Sequence, residues 1–286
     1  MLLQAVRSTL DSLLPFAPVL IFCILAERGW AVYEVSVKRV ATNIVYVVIS
    51  FSIVHSFLLP HLYSFNRLLP SNIFQIDIQN YSNIQKIIFW LIYLLCFDFL
   101  YYWFHRAQHT FKFMWRYHMV HHSDENISTA AFARHHWLED FWRYPLITIP
   151  LFVIFGSFSV PFALIGFIGF FAIVMHWNTR LTFGPLERLV ITPSYHRIHH
   201  SIEEKHYNKN FGAIFQIWDC VFNTRYTPKK HEFPQTGIKG FSEKHFIALL
   251  LPWPLLPNQS SNTKIIESIP KPTSIASRKQ SPDHDD

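Results

Sequence analysis

Charge is what this 286-residue chain has least of: Asp, Glu, Lys and Arg together make up 15% of it, against ~25% in an ordinary soluble domain. Half of the residues are hydrophobic, which argues against a water-soluble globule. Cysteine is nearly absent too. Cys23, Cys96 and Cys220 form no C-x-x-C pair and give no disulfide framework. With eight glycines and no G-x-G-x-x-G, the chain lacks the phosphate-cradling turn of a dinucleotide fold. H-E-x-x-H, the metalloprotease pairing of ligands with a general base, is missing as well. The net charge of +6 comes from scattered residues beside apolar runs, so no basic patch suits nucleic acid.

The apolar residues fall in long runs. Residues 10–32, 44–63 and 84–104 each reach the ~20 residues that a membrane span needs. The apolar start of the chain has no charged n-region or small-residue cleavage site, and reads as a retained span. A fourth run, 145–177, is interrupted by Gly156, Ser157, Ser159 and Pro161. One straight helix of that length would overshoot the ~30 Å hydrocarbon core, whereas two short arms meeting at the break go in and come back. The expected fold is all-α: an integral membrane bundle of three spans plus a helical hairpin, with a histidine-rich cap on the cytosolic side. Arg28, Lys38, Arg39, Arg106, Lys112 and Arg116 fall on the cap side of that topology, the pattern of the positive-inside rule. Four regions follow: membrane spans in 1–83, a histidine-bearing domain in 84–226, an interfacial or packed segment in 227–256 and a disordered tail in 257–286.

Histidine is abundant, with seventeen residues. His105 and His109 form H-x-x-x-H; His118, His121 and His122 form H-x-x-H-H; His196, His199 and His200 repeat the second spacing. On a helix, residues three and four apart share a face, so each cluster aims its imidazoles at one point. Packing so many imidazoles together without a cation buries unsatisfied nitrogens. Eight candidates are too many for one tetrahedral ion and suit two neighbouring ions. Nitrogen donors alone leave zinc, copper, iron and nickel open. The soluble di-iron bundles use Glu with E-x-x-H, whereas here histidine carries the ligand spacing. A zinc hydrolase, a metal transporter and a haem electron carrier are the competing classes. Isolated His55 and His61 read as ordinary polar residues in apolar surroundings.

The segments D-x-x-Y-Y-W-x-H-R-x-x-H (98–109), Y-H-x-x-H-H-S (117–123) and T-P-S-Y-H-R-I-H-H-S (192–201) resemble the fatty acid hydroxylase/sterol desaturase superfamily. The resemblance runs over about 84–226. It includes His176 and Asn178 at an H-x-N position, Asn210-Phe211-Gly212, and Trp218-Asp219 with Asn223 where the family usually has Gly. The continuous TPSYHRIHH and WDCVFNT segments look most like the bacterial sterol-desaturase-like branch and alkylglycerol monooxygenase.

This resemblance implies an integral-membrane, non-haem di-iron enzyme that uses O2 to hydroxylate or desaturate a fatty acyl, alkyl or sterol chain. It implies two ferrous ions held by His105, His109, His118, His121, His122, His196, His199 and His200, with His176 as a ninth ligand. Arg134, His136 and Glu139 match an R-x-H-P-x-E element in which Trp137 replaces proline, and His136 is expected beside the ligands. Asp98 and Asn178 are expected to orient ligand imidazoles from behind. Electrons would come from a separate cytochrome b5, ferredoxin or reduced pterin, and the enzyme would sit in the endoplasmic reticulum or a bacterial inner membrane.

Overall fold

The computed structural model describes residues 13–58, 78–156, 160–239 and 249–252, with residues 7, 9–11, 60, 61 and 64 besides. The expected tail at 257–286 lies outside the described residues. The all-α expectation holds. Among the described residues there is no strand, only isolated bridges at Val190–Phe215 and Ser201–Thr236.

Three helical stretches are long and apolar enough to cross a bilayer: Thr9–Trp30, Val37–Leu58 and Asn83–Thr110. They contain the regular helices α1 (Ala17–Trp30), α2 (Val37–Ile53) and α3 (Asn83–Thr110). Their outer faces carry exposed Ile21, Phe22, Leu25, Ile84, Ile87 and Leu91. Such a continuous apolar surface is stable against lipid tails and not against water. The protein is an integral membrane helical bundle.

α3 is the longest helix. Its N-terminus is fixed by a capping box in which the Ser82 hydroxyl accepts the Gln85 amide and the Gln85 side chain accepts the Ser82 amide. At 1.5 Å per residue its length is about 42 Å, roughly 12 Å more than the hydrocarbon core. His105 and His109 lie in its last two turns, where excess length at that end would bring them to the membrane surface. Extended Phe111 then turns the chain into α4 (Lys112–His122), which packs back on α3.

The fourth apolar run is broken where expected. Helix α5 (Glu139–Arg143) continues through a π-helical turn, Tyr144–Thr148, into α6 (Ile149–Phe155). Gly156 ends that arm at φ +85, a conformation that favours glycine. After Pro161 the return arm α7 (Phe162–Met175) begins. Its fourteen residues span about 21 Å, too short to cross ~30 Å of hydrocarbon. α6 packs against α3 and α7 against α1. The core here is Phe89, Phe104, Met114, Ile147, Leu151 and Phe155, with Cys23, Ile173, Val174 and Trp177 as a second cluster.

Buried polar contacts tie the first two helices to the histidine end. The Glu27 carboxylate accepts the backbone N–H groups of Thr129 (3.0 Å) and Asn178 (2.7 Å). The Asn43 amide donates to Asp124 and accepts from Arg134, and Arg39 lies 3.7 Å from Asp124. Tyr46 donates to the carbonyl of Leu249, in the short C-terminal stretch packed on α2 and α4. Isolated His55 bonds to the Phe51 carbonyl one turn back, and His61 is exposed.

Candidate metal centre

The nine histidines singled out in the sequence converge from four elements. α3 supplies His105 and His109; α4 supplies His118, His121 and His122. His176 closes α7, and the short helix α8 (Pro193–His199) with its cap supplies His196, His199 and His200. Such a short helix needs outside support. It starts on Pro193 behind an N-cap, Thr192, whose hydroxyl accepts the Tyr195 amide.

The rings sort into two groups, each with ligand atoms within 4.8 Å of one another: His105, His109, His118, His122 and His199 in one, His121, His176, His196 and His200 in the other. The neighbours His121 and His122 belong to different groups, and so do His199 and His200. Eight of the nine rings are buried; His109 is partly so. The two halves of the cage therefore lie on one side of the membrane bundle, as a hairpin requires and a single crossing forbids.

The ring orientations decide what the groups can hold. Nδ1 of His105 sits 2.8 Å from the Phe211 carbonyl oxygen, Nδ1 of His199 2.8 Å from that of Lys209, and Nδ1 of His176 2.7 Å from that of Ala172. Nδ1 of His118 is 3.2 Å from the Glu139 carboxylate. Carbonyl and carboxylate oxygens only accept, so in each case Nδ1 carries the proton and Nε2 presents a bare lone pair. Yet Nε2 of His105 lies 3.1 Å from Nε2 of His118, which lies 3.2 Å from that of His122, itself 3.1 Å from that of His199. His122 has one N–H at most to offer, so lone pairs are left facing lone pairs. A cation between them removes the conflict. In the second group Nε2 of His176 is 3.2 Å from that of His121 and 3.1 Å from that of His196, which is 3.0 Å from that of His200.

Protonation is no escape from this. Burial first, and then the neighbouring imidazoles, hold His121, His122, His196 and His200 well below the ordinary histidine range. Burial lowers His176 and His199 to about 3. The rings are neutral donors, the form that binds a divalent ion. The residues present fit two metal ions with nitrogen ligands.

Behind the ligands lies a loop that the sequence marked with N-F-G and W-D. The Asp219 carboxylate accepts the amides of Phe211 (2.8 Å) and Gly212 (3.0 Å) and the hydroxyls of Thr224 and Tyr195. Asp98 accepts the amides of Ile214 (2.8 Å) and Phe215 (3.2 Å). Its carboxylate thus contacts the loop and not an imidazole, contrary to the expectation from sequence. The same loop presents the Phe211 carbonyl to Nδ1 of His105, and the carboxylate on the Phe211 amide is that of Asp219. Asn178 also differs from expectation: its side chain donates to the Tyr33 carbonyl and its backbone to Glu27, tying the return arm to α1.

Gly212 has no room for a side chain. A Cβ there would lie 2.5 Å from the Phe215 carbonyl oxygen and 2.9 Å from Ile191. Gly212→Ala is expected to displace the loop and weaken metal retention by about 10–100-fold, the usual cost of losing ligand support. Metal content after dialysis against a graded chelator measures it.

His136 departs from the reading as well. Its Nδ1 accepts the Leu138 amide (3.1 Å) and its Nε2 donates to the Leu251 carbonyl (2.9 Å), so neither nitrogen is left for metal. The neighbouring His135 takes the place at the cage. Its ring stacks on His121 with centroids 4.2 Å apart, and it joins His118 and Glu139 in a third cluster. Burial alone would raise the Glu139 carboxyl, but His135 and His118 hold it well below the usual range.

With the geometry in view, similarity to known proteins adds the chemistry. Residues 90–224 match the family model described as fatty acid hydroxylase. The match takes in just under half of the chain and makes this segment similar to fatty acid hydroxylases. The chain is 32% identical over 149 residues to alkylglycerol monooxygenase of Caenorhabditis elegans, covering 51% of this chain and 28% of that protein. It is 32% identical over 147 residues to the ornithine lipid hydroxylase OlsE of Rhizobium tropici, covering 51% and 44%. A very-long-chain aldehyde decarbonylase of Oryza sativa is 31% identical over 157 residues, covering 51% and 24%. The similarity takes in about half of this chain and spans less than half of these relatives. No solved structure gave a significant match. The matched residues contain both histidine groups, the Asp219 loop and the hairpin.

Proposed function

We propose that this chain is a membrane-bound, non-haem di-iron oxidoreductase that uses O2 to hydroxylate or desaturate a lipid chain. The supporting observation is the set of imidazole Nε2 atoms that face one another at 3.0–3.2 Å while carbonyls and Glu139 occupy the Nδ1 atoms of His105, His118, His176 and His199. His105, His109, His118, His122 and His199 would hold one ion; His121, His176, His196 and His200 would hold the other. Iron is favoured over zinc by the relatives' names, which describe a monooxygenase, a lipid hydroxylase and a long-chain aldehyde decarbonylase. A pair of ferrous ions supplies O2 activation toward an unactivated C–H bond. The residues of this chain hold the imidazoles in their tautomers, position the lipid and keep bulk water from the reacting carbon.

Phe97, Tyr101, Phe132 and Met175 line a cavity that reaches His105, His121, His176 and His196, the route by which a lipid chain would approach from the bilayer. The electrons would come from a separate donor, a cytochrome b5, ferredoxin or reduced pterin, because the sequence carries no nucleotide-binding turn. The cage would face the cytoplasm of a bacterial inner membrane or the endoplasmic reticulum, on the side of Arg39, Arg106, Lys112 and Arg116.

Metal analysis of the purified chain tests this reading. About two non-haem irons per chain are expected. A Soret band, or zinc as the sole tightly bound metal, would overturn it in favour of a haem carrier or a zinc hydrolase.

A further inference from the structure

Two cavities adjoin beside α3 and share three lining residues. The inner one, about 240 Å3, is lined by His105, His121, His176 and His196 at one end. The outer one, about 440 Å3, runs past Tyr93, Leu151 and Phe152 to Gly156 and Val160 at the hairpin tip. Phe97, Tyr101 and Arg143 line both and so form the waist between them. The two volumes together fall within the range of ligand pockets. Arg143 is the one charged residue lining the outer cavity among the described residues. It is ion-paired with Asp140, one turn back on α5, and Asp140 faces the inner cavity.

An arginine at the neck of an apolar channel constrains how an amphiphile can lie there. Tail-first entry would push methylenes past the guanidinium and carboxylate, stripping their water and giving nothing in return. Head-first entry brings a new polar partner to the same place. A carboxylate engages two of the five guanidinium donors at most, so Asp140 leaves donors over for a second oxyanion. The outer cavity then receives the alkyl chain along α3 and α6, at the depth where the hairpin tip lies among lipid tails.

We propose that the channel takes an anionic amphiphile head first, with a carboxylate or phosphate of the head group on Arg143 and the alkyl chain leading out to the hairpin tip. Resting on the lipid-oxidation reading, this puts the oxidised carbon within a few bonds of the head group and not in mid-chain.

Photolabelling of the full chain in dodecyl maltoside, stripped of metal, tests the pose. The probes are hexadecanoate and hexadecyl phosphate, each carrying a diazirine either at the chain terminus or next to the head. The terminal diazirine is expected to label Leu151, Phe152 or Val160, and the head-adjacent one Phe97 or Tyr101 at the waist. The reverse pattern overturns the proposal. Arg143→Gln is expected to weaken binding of the preferred oxyanion probe by about tenfold or more, with methyl hexadecanoate unchanged. An equal loss for the ester, or no loss for either, overturns it. Whichever of the two oxyanions binds more tightly identifies the carboxylate or the phosphate as the head group, and binding of neither sinks the idea. Since the labelling needs no metal, its failure would leave the di-iron reading standing, and loss of that reading would leave the pose intact.

Discussion

Replacing His121 by alanine is expected to bring iron down from about two ions per chain to about one, and lipid oxidation below detection. His121 is one of only four donors in its group, with His176, His196 and His200; the three that remain hold a divalent ion poorly. The five-histidine group is expected to keep its ion. Folding of the bundle should survive, because the spans are held by apolar contacts and by the Glu27 and Asn43 networks away from His121. Metal analysis with circular dichroism of the purified variant checks both halves. His136→Ala is the control. It should keep both ions, because Leu251 and Leu138 occupy its ring nitrogens. Full iron and normal turnover in His121→Ala would remove the basis of the proposed function.

Glu139→Ala is the second large effect expected. That carboxylate lies 3.2 Å from Nδ1 of His118 and 3.4 Å from Nδ1 of His135, and it also accepts the Gln108 amide and the His136 backbone N–H. Removing it strands several buried donors, at about 1–3 kcal/mol each. It also frees the His118 ring to turn. Metal affinity should fall by about 10–100-fold, as for other groups that orient a ligating imidazole. Glu139→Gln keeps an accepting oxygen and should recover part of the loss. Competition with a chromophoric chelator and thermal unfolding in detergent separate the two contributions. Equal affinity in all three proteins would show that Glu139 only packs.

Most of the cage was legible in the sequence because it is written in helical spacing. His105 with His109, His118 with His122 and His196 with His200 are each four apart, and each pair enters one donor group. His121 and His199 instead go to the group opposite their own motif's pair, so the H-x-x-H-H motifs do not aim at one point as the spacing suggested. His176 was legible from the end of an apolar run. The Gly156–Pro161 break announced the hairpin, because both residues resist a continuous helix. What failed lies in irregular backbone. Residues 134–138 follow no helical period, so spacing could not say whether His135 or His136 turns inward. Asp98 is a buried carboxylate on α3. Its partners, the amides of Ile214 and Phe215, come from a loop more than a hundred positions away, and no local pattern encodes that pairing. The waist at Arg143 was equally hidden, since a cavity is a property of the assembled helices.

Two adjacent histidine pairs, 121 with 122 and 199 with 200, each send one ring to either donor group. Neighbouring α-carbons are fixed at about 3.8 Å by the peptide unit. The interval between the two groups is thus stapled twice by covalent bonds, on opposing segments of the chain. Side-chain repacking during evolution could reshape the lipid tunnel freely without stretching that interval. On the proposed function, substrate range and the interval between the two histidine groups would then vary independently, and a deletion or insertion inside either pair is the genetic change that would couple them.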